Sequence, residues 1–201
     1  MYIDSEEKLR ELYGFPKGRA KDKQIPKLEK HSTKFISLSP FVLVSTYGKD
    51  GKVDCSPRGG KPGFVELIGN DSLLIPDSKG NNRLDSHVNI LETEKIGCLF
   101  MIPGVDETLR VNGEAKISIL PDHLSRFQSW SNPPKSCIEV KIEEVFLHCA
   151  KAFMRSRLWH SDSKIERSIL PTMGRMINDQ LLIDGEPESQ EQMIERYNKD
   201  L

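Results

Sequence analysis

The chain has 201 residues, 37% of them hydrophobic, enough to bury one substantial core. Its 29 Lys and Arg nearly balance 30 Asp and Glu, so no global field draws it to nucleic acid or to an anionic membrane surface, and any anion binding must be local. No apolar run approaches the roughly 20 residues of a membrane-spanning helix, and the first residues lack the basic-then-apolar order of a signal peptide, so the expectation is one cytoplasmic domain over residues 1–201, engaging neither nucleic acid nor membrane.

Asp4 and Glu7 predict a capping box for a short helix carrying Leu9, Leu12 and Tyr13, which Gly14 and Pro16 end. Residues 17–34 are locally basic, with Lys17, Arg19, Lys21, Lys23, Lys27, Lys30 and Lys34 against Asp22 and Glu29, and read as a solvated arm and one helix face. A second helix is expected from near Pro26 through Leu28, His31, Phe35 and Ile36 to Ser39-Pro40, with His31 as a packing residue. From Phe41 the pattern turns to β. Phe41 to Tyr47 is apolar, β-branched and aromatic, and Asp50-Gly51 is a hairpin signal before Lys52 to Ser56. Arg58-Gly-Gly-Lys61-Pro-Gly63 then breaks the regularity, as a bulge or a loop whose backbone approaches another group closely. Phe64 to Ile68, a turn at Gly69-Asn70-Asp71 and Ser72 to Ile75 form a second hairpin, and the glycosylation-like Asn70-Asp71-Ser72 reads as that turn.

Leu73 to Leu91 is the most informative stretch. An apolar strand ends at Pro76, a polar turn runs from Asp77 to Asn82, and apolar residues recur at helical spacing at Leu84, Val88 and Leu91. Asn81 or Asn82 can cap this helix, with Asp85 completing a weaker capping box. Free amides and the positive end of the helix dipole then gather beside Lys79 and Arg83, which is the physics of a phosphate site. Spacing alone does not separate that reading from an ordinary helix start with solvated cations.

Ile96 to Ile102 and Thr108 to Ile119 read as strands, the second interrupted at Asn112-Gly113. Pro121 starts a short helix that carries Leu124 and Phe127 toward Trp130. In the next strand Ile138, Val140 and Ile142 alternate with Glu139, Lys141 and Glu143 before the pattern shifts at Val145-Phe146-Leu147. Six or seven mostly antiparallel strands with few helices between them indicate a mainly β fold, a small Greek-key barrel rather than a doubly wound sheet. Ala150 to Trp159 is basic and amphipathic, Pro171 precedes a helix with Met173, Met176 and Ile177, and Ser189 with Gln192 caps a last helix to Tyr197. The spaced methionines read as packing against the barrel or a second subunit.

Familiar catalytic signatures are missing: no Walker A, no G-x-G-x-x-G, no G-x-S-x-G, no H-E-x-x-H. Cys55, Cys98, Cys137 and Cys149 lie far apart, form no C-x-x-C pair, and with His148 and His160 at no zinc spacing read as buried thiols, so no metal is expected. No catalytic residue is identifiable, and an enzyme with this inventory relies on a cofactor.

Three segments, Phe41-Val-Leu-Val-Ser-Thr-Tyr-Gly-Lys-Asp-Gly, Asp54-Cys-Ser-Pro-Arg-Gly-Gly and Leu74-Ile-Pro-Asp-Ser-Lys-Gly-Asn-Asn-Arg-Leu-Asp-Ser, resemble the FMN-binding split-barrel family related to pyridoxamine 5'-phosphate oxidase, over roughly residues 32–159. The closer resemblance is to a branch of FMN-dependent enzymes without an assigned substrate. It implies an FMN-binding split β-barrel, Greek-key and antiparallel, assembled as a homodimer with FMN at the subunit interface and moving a hydride to or from a small-molecule substrate. On this resemblance Pro76 and Asp77 lie by the flavin ring or ribityl chain, Ser78, Lys79 and Asn81 line the same turn, and Asn82 and Arg83 hold the phosphate. Either Arg58 or Lys61, which the match does not separate, adds a further phosphate contact. Thr108 and Arg110 resemble a segment supplied across the dimer, Arg110 or Arg155 would stand near N1 and O2 of the ring, and Trp159 would cover its face. The oxidases proper carry an Arg-Leu-His cluster for the pyridoxal substrate; Arg157-Leu158-Trp159 followed by His160 departs from it, so vitamin B6 oxidation is not expected. The rival expectation is a non-catalytic flavin- or haem-binding or sensing protein on the same barrel.

Overall fold

In the computed structural model, which describes residues 2–201, the apolar, β-branched and aromatic run from Phe41 becomes strand β1 (Phe41–Tyr47), with Val42, Val44 and Thr46 buried and Ser45 and Tyr47 exposed. Gly51, at φ +79°, turns the chain into β2 (Val53–Gly59). This strand is longer than the sequence suggests: Pro57 pairs with Leu43 and Arg58 with Val42, so the break begins at Gly60, not Arg58. Proline is tolerated because β2 is an edge strand with β1 as its one neighbour.

The remaining strands are β3 (Glu66–Ile68), β4 (Ser72–Pro76), β5 (Lys95–Met101), β6 (Thr108–Ser118) and β7 (Cys137–His148). They form one antiparallel sheet in the order β2-β1-β5-β6-β7-β4-β3, with no pairing between its edges β2 and β3. The sheet coils on itself, since Val42, Val44, Phe100, Leu109, Val111, Leu73, Ile75 and Val140, drawn from five strands, meet in a single core. The result is the expected mainly β, split-barrel architecture.

The interruption at Asn112-Gly113 is a β-bulge. Register moves from Asn112 opposite Glu144 to Gly113 opposite Ile142, leaving Glu143 as the extra residue. That accounts for the shifted alternation in β7: Ile138, Val140 and Ile142 point inward, and after the extra residue Val145 does so instead of Glu144. Glycine is required at 113, because a Cβ there would lie 2.0 Å from the Lys141 carbonyl oxygen. The continuous apolar run of β4 has a different cause. Leu73 and Ile75 face the main core while Leu74 packs with Phe127 and Cys137 in a second one, under helix α5 (Pro121–Leu124) and Trp130, so β4 is buried on both faces.

Helix α1 (Glu6–Tyr13) is capped by Ser5, not Asp4, whose carboxylate instead pairs with Lys8 at 2.7 Å; Leu9, Leu12 and Tyr13 are exposed. A short α2 (Arg19–Asp22) lies in the basic arm. Helix α3 (Lys30–Leu38) starts later than Pro26 suggests, because Ile25 bridges to Val145 and the Leu28 amide donates to the Asn70 carbonyl. Glu29 and Ser32 form its capping box, and Ser32 and Ile36 face inward, leaving His31 exposed rather than packed. Helix α4 (Asp85–Thr93) packs on β1, β6 and β2. Helices α6 (Lys151–Ser156), α7 (Met173–Leu181) and α8 (Gln190–Asn198) follow the barrel, the last with the expected Ser189–Gln192 box, and none contributes a fully buried residue. Cys98 and Cys137 are buried, and burial pushes the Cys98 thiol up to about 12; Cys55 and Cys149, expected to be buried, are exposed on edge strand β2 and just past β7.

Candidate functional site

Residues directly opposite in an antiparallel pair share a face of the sheet. Arg58 lies opposite Val42, Ser56 opposite Val44 and Asp54 opposite Thr46, so β2 turns three polar side chains toward the core side. Helix α4 covers them, and its start determines how.

After Pro76, the Asp77 amide donates to the Ser136 carbonyl at 3.0 Å, and the chain then reverses through two left-handed residues, Asn82 and Leu84, each at φ +59°. Leu84 is the N-cap, and no side chain caps the helix. The expected Asn81 or Asn82 cap is therefore not formed: Asn81 accepts from the Arg83 amide at 3.1 Å, closing a local turn instead. The first-turn amides of α4 are left without a side-chain acceptor, which is the condition for an anion seat. The inward face also differs from the apolar periodicity. Leu84, Val88 and Leu91 are exposed, and Ser86, His87 and Ile90 are buried: Ser86 meets the polar inner face of β2, and Ile90 packs in the main core.

Ser86 Oγ donates to Asp54 Oδ2 at 2.5 Å, Ser56 Oγ donates to the same oxygen at 2.9 Å, and Arg58 Nη2 reaches Ser86 Oγ at 3.5 Å. Asp77 Oδ1 stands 3.6 Å from His87 Nε2. Burial is the main force pushing the His87 imidazole below its ordinary value; Asp77 opposes it and Arg58 adds to it. Arg83 pairs with Asp85 at 2.9 Å, and that carboxylate, with a smaller contribution from Asp54, raises the guanidinium pKa. Lys79 pairs with Asp200 near the chain's end at 2.5 Å, and Ser78 is exposed beside it. Lys61 is exposed in the loop after β2 and has no carboxylate in ion-pair range among the described residues.

The other residues singled out by resemblance lie elsewhere on the chain. Thr108 is buried opposite His148, and Arg110 lies opposite Leu99 and Phe146, on the face of the sheet away from the core. Arg110 and Lys23 both approach the Phe146 ring, at 5.4 and 5.3 Å. Arg155 is exposed and donates to the Lys151 carbonyl. Trp159 stacks on Phe153 and donates from Nε1 to the Val105 carbonyl at 2.9 Å. One chain thus gathers Arg58, Asp77 and Asn81–Arg83 about the start of α4, with Thr108, Arg110, Arg155 and Trp159 in other places. Asp54, Ser56, Ser86 and His87 were not singled out from the sequence; the period-two polar run Asp54, Ser56, Arg58 was the available signal.

Bare helix amides with two guanidinium groups nearby suit a phosphate monoester, while Asp54, held by two hydroxyls, fixes where an anion cannot sit. Among the described residues no cluster of His, Cys, Asp and Glu could hold a metal ion, and no helix is long and apolar enough to cross a membrane.

No curated protein sequence matches the chain. Among solved structures it is similar to HupZ of Group A Streptococcus, at 16% identity and TM-score 0.50, over 60% of this chain and 93% of that one. It is also similar to an FAD-binding protein of Mycobacterium smegmatis (12% identity, TM-score 0.43, 62% and 97% coverage) and to HutZ, a haem storage protein of Vibrio cholerae (9%, 0.42, 61% and 94%). HupZ shares the fold. The sequence itself matches the family described as pyridoxamine 5'-phosphate oxidase over residues 28–149, a span holding all seven strands and the start of α4. With the split-barrel sheet and the start of α4 both inside that match, the chain belongs to the pyridoxamine 5'-phosphate oxidase family.

Proposed function

We propose that this protein is an FMN-dependent oxidoreductase, a homodimer with the flavin at the subunit interface, acting on a small molecule by hydride transfer through the flavin. The uncapped first turn of α4 facing Arg58, within this family, is the observation that carries the reading. Bound FMN supplies a hydride acceptor and donor at its N5. The protein's own residues bind and orient. Arg58 and Arg83 neutralise the phosphate, with Arg83 released from an exposed pair to Asp85 that contributes little. Lys79 is held in the same way by Asp200 and is free to exchange partners.

Arg110 and the seat lie on opposite faces of the sheet, so a flavin held at α4 and also contacted by Arg110 draws on a second copy. Exposed Leu84, Val88 and Leu91 on α4, and half-buried Leu43, Leu99 and Phe146 on the outer face, offer that copy apolar surface. Pyridoxamine phosphate is not the expected substrate. Where the oxidases resembled here carry Arg-Leu-His, this chain has Trp159, whose indole N–H is tied to Val105, and Arg157 is paired with Asp162.

The visible spectrum of the purified protein tests the proposal. Flavin bands close to those of free FMN, bleached anaerobically by NADH or NADPH, are expected. A Soret band would mean haem binding, colour that persists with every reductant would mean a carrier, and a colourless protein unchanged by FMN titration would overturn the reading.

A further inference from the structure

His87 is 7% exposed, and neither of its ring nitrogens has a hydrogen-bond partner. A buried, unpartnered imidazole is unfavourable, and its retention beside a set of anion-binding groups calls for a physical reason. It occupies the third residue of α4, in the same turn whose amides are bare, on the inward side with Ser86. Two charged groups bear on the ring, Asp77 from the turn after β4 and Arg58 from β2, and none from β1, β5 or β6 does. Asp77 is 3.6 Å from Nε2, just beyond hydrogen-bond distance. In the free protein, burial and then the Arg58 charge disfavour the protonated ring, with Asp77 opposing them.

A phosphomonoester dianion arriving at Arg58 and the α4 amides changes that balance. Its two negative charges cancel the opposition of Arg58 and add to the attraction of Asp77. We propose that His87 is a positioning residue of this seat: binding of a phosphomonoester dianion is coupled to uptake of one proton by the His87 imidazole, which then pairs with Asp77 and holds the turn from β4 to α4 around the ligand. The inference rests on the reading of the α4 turn as a phosphate seat. The proton comes from solvent, so affinity rises as pH falls through the imidazole range. Protonation of the phosphate itself, with a second pKa of about 6, acts in the opposite direction, which makes the two contributions separable.

The test is titration calorimetry of the full chain with FMN and, separately, with inorganic phosphate, in buffers of different ionisation enthalpy at about pH 7, near the ordinary imidazole value. Wild type should take up a clear fraction of a proton more than His87→Gln, which can hydrogen-bond but does not titrate. Wild-type affinity should also weaken several-fold between about pH 6.5 and about pH 8, while that of the variant stays flat or rises. NMR of the wild type supplies a readout independent of the variant's stability: the titration midpoint of the His87 ring protons should move upward when phosphate is added. FMN binding with equal proton uptake in both proteins and an unmoved midpoint would overturn the role of His87 and leave the flavin reading intact. Proton-linked phosphate binding without FMN binding would do the reverse. Binding of neither ligand would remove both.

Discussion

Replacing Gly113 with alanine tests whether the bulge between β6 and β7 is a fixed element of the barrel. The new Cβ would stand 2.0 Å from the Lys141 carbonyl oxygen, 3.0 Å from its carbon and 3.3 Å from the Glu143 nitrogen. An ordinary carbon–oxygen contact is about 3.3–3.6 Å, so the two strands must part locally by more than about 1 Å. The obstacle is backbone, and Lys141 is paired on its other side with Ser72 of β4, so the displacement cannot be confined to one strand. Overpacking of this kind costs about 1–3 kcal/mol, and a backbone clash places Gly113→Ala at the upper end, about 3 kcal/mol. For a chain of this size that lowers Tm by roughly 6–12 °C, at roughly 2–4 °C per kcal/mol. Thermal unfolding followed by circular dichroism measures it, with Gly97→Ala as the control. The Cβ of that control meets the flexible Asn112 side chain at 3.3 Å, and it should stay within a couple of degrees of wild type. A Gly113→Ala protein melting as close to wild type as the control would show that β7 can slide, and the reasoning would fail.

Three further outcomes are expected. Arg58→Ala should weaken FMN binding by about ten- to a hundredfold, the loss of one charge-assisted contact, as read by fluorescence quenching of the flavin; unchanged affinity would remove Arg58 from the seat. The ligand-free protein should become less stable as pH falls below about 6.5, because His87 and His148 both have folded-state values pushed below the ordinary one, so the unfolded chain binds the protons first. Urea midpoints that are flat between about pH 7 and about pH 5 would contradict this. Trp159→Phe keeps the stack on Phe153 and loses the bond to Val105, so it should cost about 1 kcal/mol of stability and leave FMN affinity unchanged. A large loss of affinity would instead put the indole against the flavin.

Much of the barrel was legible in the residues. The apolar, β-branched and aromatic run Phe41–Tyr47, the Asp50-Gly51 turn and the break at Asn112-Gly113 each express a local rule, and each forms where the pattern puts it. What was not legible depended on what lies across from a segment. The apolar spacing of Leu84, Val88 and Leu91 correctly signals a helix yet marks its exposed side: the helix turns Ser86 and His87 inward, where Ser86 meets the polar face of β2, and Ile90 enters the main core. The N-cap went to Leu84 for a related reason: Asn81 was engaged by the Arg83 amide, and two left-handed residues reversed the chain before the helix began. Asp54, Ser86 and His87 acquire meaning when strand and helix are brought together, and their separation of more than thirty residues hid the cluster.

Pro57 also bears on how copies of this protein can meet. A sheet left open at two edges invites further strands, yet β2 presents an edge interrupted by a residue without an amide hydrogen, and β3, at the far edge, is three residues long. Neither margin is a good template for another chain's backbone. Growth by strand addition is discouraged at both ends, and self-association is left to the side chains on the broad faces of the sheet and on α4, where contact is settled by shape and charge rather than by backbone pairing.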